Sequence, residues 1–170
     1  MNSNNKIIIY GVPGSGKTRF SKLLGKKLNL PVIEADKIKD KAQMGKTKQD
    51  SPFLFLGTCQ AYKLFGPFTE ENVIKGLLAV REALRNDVIK NIESQGQFVL
   101  EGAFLDPLSL KNFGELILLI VTDEEKHKKQ YFRHREKLLD FSKIEFKVAR
   151  IIQQYLINEA KELGIQIKDV

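Results

Sequence analysis

The sequence predicts an α/β fold, one parallel sheet covered by helices on both faces. Two observations carry this. Short apolar, β-branched runs alternate with stretches of helical periodicity along the 170 residues. The first of those runs also opens directly into a glycine-rich turn and a helix. Crossovers between parallel strands are right-handed.

"KIIIY" (Lys6 to Tyr10) is a strand buried on both faces, after a frayed tail of five residues. Lys17 to Leu28 is a helix whose apolar face is Phe20, Leu23, Leu24 and Leu28. Pro31 ends that region, and "PVIEAD" is the second strand. "QFVLEG", "ELILLIV" and "IQIKDV" are the third, fourth and fifth. Between the second and third lies a helical insertion, residues 40–95, broken at Pro52, Gly57, Gly66 and Pro67. Its long helix follows Thr69, carries Glu70 and Glu71 in its first turn, and buries Val73, Leu77, Val80, Leu84, Val88 and Ile92. A helix from Asp123 to Leu139 follows the fourth strand. Another, Ser142 to Leu163, carries a stripe at Ile144, Val148, Ile151 and Tyr155 and is capped by Gly164.

Size and composition favour a single domain over residues 1–170, since 42% of residues are hydrophobic and 29% charged. The net charge of +7 suits anionic partners such as nucleotides, phosphorylated metabolites or nucleic acid. Cys59 is the only cysteine, which excludes an intrachain disulfide and, with two histidines, disfavours structural zinc. The N-terminus lacks a signal peptide's apolar core, and the longest apolar run, Leu116 to Val121, is too short to span a bilayer. A cytoplasmic location is expected, with no membrane partner.

The first turn reads "GVPGSGKT", Gly11 to Thr18, which fits G-x-x-x-x-G-K-[ST] at every fixed position. Glycines without Cβ let the loop wrap with its N–H groups inward, and the helix N-terminus adds partial positive charge. Lys17 reaches the β- and γ-phosphates, and Thr18 offers its hydroxyl to Mg²⁺. The nucleotide-binding set is therefore Gly11, Val12, Pro13, Gly14, Ser15, Gly16, Lys17 and Thr18, with Arg19 behind them. ATP and Mg²⁺ are the expected cofactors.

Neither N-K-x-D nor D-x-x-G occurs, which argues against a GTPase. The third strand ends in Glu101-Gly102 where a motor or AAA-type ATPase usually has Asp-Glu. Three features fit a small-molecule kinase. Asp36, after the second strand, stands at the sheet edge where α/β proteins bind ligands. There it takes the proton of an attacking hydroxyl or holds a Mg²⁺-bound water, or else caps the next helix. Glu101 closes a strand expected beside the first, near Thr18, and reaches the metal through water; the alternative is a strand-end glutamate paired with a basic neighbour. "EEKHKKQYFRHREK" lies in a lid, residues 123–140, whose Arg133 or Arg135 folds onto the transferring phosphoryl group, unless it is a solvated basic helix face. His127 and His134 read as surface residues. The expected catalytic set is Lys17, Asp36, Arg133 and Arg135.

From Lys6 onward the chain resembles the archaeal 2-phosphoglycerate kinases, among the P-loop kinases of nucleotides and small metabolites. Beyond the phosphate loop, the likeness rests on "TCQAYKLFG", "LEGAFLDP", "HKKQYFRHRE" and "ARIIQQYLINEAKELGIQI". It implies a nucleoside-monophosphate-kinase-like three-layer fold, sheet order 2-3-1-4-5, and a phosphorylated three-carbon acid as acceptor. Asp36 takes the place of the substrate-side carboxylate. Two positions depart from the family pattern. Lys39 stands where the family tends to have an arginine, and Phe104 where it tends to have a histidine. Both lie on the acceptor side.

Two other functions compete. One is a kinase of a nucleoside, sugar nucleotide or RNA end, though no aromatic-basic RNA-binding motif favours nucleic acid. The other is an ATP-binding regulatory module without phosphoryl transfer, which needs an exposed apolar patch such as "SPFLFL".

Overall fold

In a computed structural model, residues 5–133 and 142–170 are described. Most of the expected tail (residues 1–4), and His134, Arg135 and the rest of the expected lid through residue 140, lie outside them.

The elements run β1 (Lys6–Tyr10), α1 (Lys17–Leu28), β2 (Val32–Glu34), α2 (Ala35–Ala42), α3 (Glu70–Glu93), β3 (Phe98–Gly102), α4 (Pro107–Leu110), β4 (Glu115–Ile120), α5 (Glu124–Phe132), α6 (Ser142–Leu163) and β5 (Gln166–Asp169). The five strands form one all-parallel sheet in the order β2-β3-β1-β4-β5. β1 is central, so its residues alternate between two cores. Ile8 and Tyr10 join the large core under α3 and α6, while Ile7 and Ile9 join a smaller one with Val99, Ile117 and Leu119 under α1. The result is three layers.

Several elements differ from expectation, each for a physical reason. β2 stops at Glu34, and Ala35 and Asp36 already belong to α2. Between α2 and α3, regular helix is confined to 3₁₀ turns at Pro52–Leu54 and Ala61–Leu64, because proline and glycine break the segment every few residues. α1 buries Ser21 and Gly25 where it crosses the sheet, with Phe20 and Leu24 flanking. Leu23 is 61% exposed, and Leu28 is exposed as well. Gly25 lets helix and strand approach, since a Cβ there would stand 2.5 Å from Val32 Cγ2. α6 buries Val148, Ala149, Ile152, Leu156 and Ala160, and Ile144 is exposed. α3 buries all six expected residues, and the Thr69 hydroxyl accepts a bond from the Asn72 N–H at its N-terminus.

Arg81 of α3 and Glu159 of α6 meet in a two-point ion pair, Nη1–Oε1 2.8 Å and Nη2–Oε2 2.9 Å. Among the described residues, no helix is long and apolar enough to cross a membrane.

Candidate active site

β1 ends in the sheet centre, and the chain turns there through Gly11 to Gly16 into α1. The Val12 carbonyl accepts from the Ser15 N–H (3.2 Å) and from Lys17 Nζ (2.9 Å), which draws the lysine over the loop. Gly14 has φ +79°, and a Cβ there would lie 2.9 Å from Tyr131 Cα of α5. Only glycine satisfies both the left-handed backbone and that contact. The N-cap of α1 is Gly16, which has no side chain to accept from the helix's first N–H groups.

Glu101 ends β3 and is buried. It pairs in register with Ile9 on one side and Glu34 on the other. Its Oε1 accepts a 2.9 Å hydrogen bond from Thr18 Oγ1. Burial raises the pKa of this carboxyl; Lys17 and the Thr18 hydroxyl pull the other way, while Asp36 and Glu34 add to the rise. Strand adjacency thus joins Thr18 to Glu101 as the sequence suggested. The register also brings in Glu34, which sequence reasoning passed over. It reads as an ordinary strand residue until its partner across β2 and β3 is known. Glu34 also faces Lys37 Nζ at 3.5 Å.

Asp36 is exposed in the first turn of α2, at this same edge of the sheet. The β2–α2 junction sits close because Gly102 leaves room. A Cβ on Gly102 would be 2.6 Å from the Ala35 Cβ. One turn on, Lys39 is half-buried. It donates to the Leu56 carbonyl at 2.5 Å and lies 5.8 Å from the Phe104 ring centre. Burial lowers its pKa, and Asp36 and Asp40 oppose that. Phe104 is itself a core residue, so apolar packing explains its side chain.

A cavity of about 740 Å³ opens between α1 and α5. Gly14, Lys17 and Thr18 line one side, Arg19 and Leu23 another, and Lys126, Gln130 and Arg133 of the α5 region the third. Arg133, just past α5, therefore lines the same cavity as the loop. A smaller cleft, about 340 Å³, lies at the opposite end of the sheet around Lys6, Asn112 and Glu115.

His127 corrects the expectation of a surface residue. It is fully buried, and its Nε2 lies 2.9 Å from the Pro13 carbonyl of the loop. A carbonyl only accepts, so Nε2 carries the proton. Burial lowers the histidine's pKa, and Arg150 and Lys17 add to the effect against Pro13 and Glu124. The flanking lysines made α5 look solvated; the side chain's inward direction was visible only in three dimensions.

No family model matches the chain. An adenylate kinase from Mesomycoplasma hyopneumoniae (strain 7448) is 32% identical over 102 residues, 60% of this chain. The chain covers 42% of that relative's length. Among solved structures, a shikimate kinase from Acinetobacter baumannii in complex with shikimate superposes with TM-score 0.61 at 18% identity, over 99% of this chain and 84% of that one. A deoxyadenosine kinase from M. mycoides with bound dATP gives 0.53 at 15% identity, over 96% and 90%. The fold is that of the P-loop NTPases.

The P-loop residues fit a polyphosphate. The loop encloses the Lys17 cation, and the buried Ser15 hydroxyl has no hydrogen-bond partner among the described residues. The residues also fit Mg²⁺. Thr18 and the desolvated Glu101 present hard oxygen donors 2.9 Å apart. No group of three or more His, Cys, Asp or Glu among the described residues could hold a metal alone. Mg²⁺ ordinarily takes only one or two protein oxygens beside its waters, so these two donors would fit it.

Proposed function

We propose that the protein is an ATP-dependent kinase that transfers the γ-phosphoryl group to a hydroxyl of a small metabolite. The observation that carries this is the Thr18–Glu101 bond beneath the P-loop, with Asp36 exposed at the same sheet edge. Lys17, Thr18 and the loop N–H groups bind the phosphates, and Glu101 orients the Thr18 hydroxyl; with Thr18 it would hold Mg²⁺ on the loop side, Glu101 through water. Mg²⁺, when bound, spreads the charge of the β- and γ-phosphates. The acceptor oxygen forms its bond to the γ-phosphorus as the bond to the β-bridging oxygen breaks. The acceptor's proton passes to Asp36, and ADP leaves. Arg133, which lines the cavity, adds positive charge to the transferring group in this reading. Arg135, the other proposed lid arginine, lies outside the described residues.

For the acceptor, the resemblance to 2-phosphoglycerate kinases favours a small phosphorylated acid. Lys39 supports an anionic acceptor, since a half-buried ammonium one turn from Asp36 uses one of its three protons on Leu56. The adenylate kinase match favours a second acceptor class, nucleosides and nucleotides. The regulatory alternative loses support, because Phe53 and Phe55 pack against the core and Phe53 stacks on Phe65.

Labelled ATP with a panel of phosphorylated acids, polyols, nucleosides and nucleotides tests this. Transfer to one class is expected, and loss of transfer in Lys17→Ala. Nucleotide binding with no transfer to any hydroxyl compound would sink the kinase assignment.

A further inference from the structure

We propose that His127 is a positioning residue that aims the Gly14 N–H of the P-loop at bound phosphate. This rests on the P-loop being a polyphosphate site. The Pro13 carbonyl and the Gly14 N–H belong to one peptide unit, and the described residues contain no cis peptide bond. In a planar trans unit the two groups point in opposite directions. A bond that holds the carbonyl therefore also sets the N–H. His127 Nε2 holds it, from behind the loop, at 2.9 Å.

The imidazole is itself held. Arg150 Nη1 of α6 stands 3.4 Å from Nδ1, and a guanidinium only donates, so Nδ1 is the unprotonated nitrogen. Arg150 is fixed in turn by the carbonyls of Val121 (2.7 Å) and Thr122 (3.3 Å), just past β4. The ring packs edge-on against Phe146 and Tyr131. Tyr131, one turn along α5, is the residue that closes on Gly14. Two adjacent turns of α5 thus grip successive residues of the loop. A fluctuating Gly14 peptide would present its carbonyl to phosphate part of the time. The His127 bond removes that orientation before the ligand arrives.

The test titrates inorganic tripolyphosphate, and separately adenosine, into wild-type protein, His127→Leu and His127→Gln by calorimetry. Glutamine's amide reaches about as far as Nε2 and can still donate. His127→Leu is expected to weaken tripolyphosphate about five- to tenfold, the worth of one net hydrogen bond, with adenosine unchanged. His127→Gln should recover to within about threefold of wild type, because the amide N–H restores the bond to the Pro13 carbonyl. In transfer assays the loss should fall on KM for ATP rather than kcat. Leucine within twofold of wild type, or glutamine falling as far as leucine, overturns the proposal. So does a wild-type protein that ignores tripolyphosphate. Should the leucine variant not fold, nitrogen-15 spectra of wild type, assigned against His134→Gln, give the tautomer. Nε2–H supports the proposal and Nδ1–H overturns it. Tripolyphosphate binding that depends on His127, without transfer to any acceptor, would sink the kinase assignment alone.

Discussion

Thr18 and Glu101 stand 83 residues apart in the chain, yet Thr18 Oγ1 lies 2.9 Å from Glu101 Oε1. The bond exists because β1 and β3 are neighbours in register, which sets the end of one strand beside the turn that leaves the other.

Glu101→Gln separates metal affinity from stability. The amide keeps the shape and still accepts from Thr18, and it removes a carboxylate whose pKa burial has raised. Without metal, the midpoint of thermal unfolding should stay level or rise. Mg²⁺-dependent tightening of ATP should weaken by about 10–100-fold, as for the loss of an outer-shell metal partner. Calorimetry with Mg²⁺ against EDTA checks this, and a fall in both quantities would assign Glu101 a purely structural role.

Asp36→Asn should leave ATP affinity unchanged, because the residue is exposed and its helix follows β2, which β3 separates from β1 and the loop. Transfer should fall about 10²–10⁴-fold in kcat, the range for losing a general base. Equal losses in ATP affinity and kcat would count against a base.

Gly14→Ala and Gly16→Ala should differ. Both positions have φ +79°, which costs a non-glycine residue about 1–2 kcal/mol. A Cβ at Gly14 would also meet Tyr131 Cα at 2.9 Å, whereas at Gly16 nothing among the described residues lies within 4 Å. Gly14→Ala should therefore lose the greater stability and displace α5. Urea unfolding of both variants reads the difference.

Glu159→Ala leaves the Arg81 guanidinium, 2% exposed, without its two-point partner. Destabilisation of about 3–5 kcal/mol is expected. Arg81→Met with Glu159→Leu together should cost less than Glu159→Ala alone, because no charge is then stranded. Denaturant midpoints at fixed pH decide it.

His127 gives stability a pH dependence of known sign. Its folded pKa is lowered, chiefly by burial, so below about 6.5, its ordinary value, the unfolded chain binds the extra proton. The contribution is complete above that pH and is lost as pH falls toward the folded value. Glu101, with its raised pKa, works in the opposite sense, disfavouring the folded state as pH rises above the ordinary carboxyl range. Subtracting the His127→Gln profile isolates the histidine. A difference that is flat between pH 8 and 5 would contradict a neutral, buried imidazole.

By itself, the sequence determined the phosphate loop, the strand runs, the α3 core face and the carboxylate that closes β3. Each is local: glycines, lysine and threonine at fixed spacing, β-branched runs, and a period of three and four residues. The tertiary structure decided what depends on neighbours. Periodicity says that a helix has an apolar side, not which residues the sheet covers, so Leu23 and Ile144 proved exposed while Ser21 and Gly25 are buried. Strand register put Glu34 beside Glu101. The docking of α5 on the loop turned His127, set among lysines, into a buried group on the Pro13 carbonyl. A side chain's partners lie across space, where spacing along the chain carries no information about them.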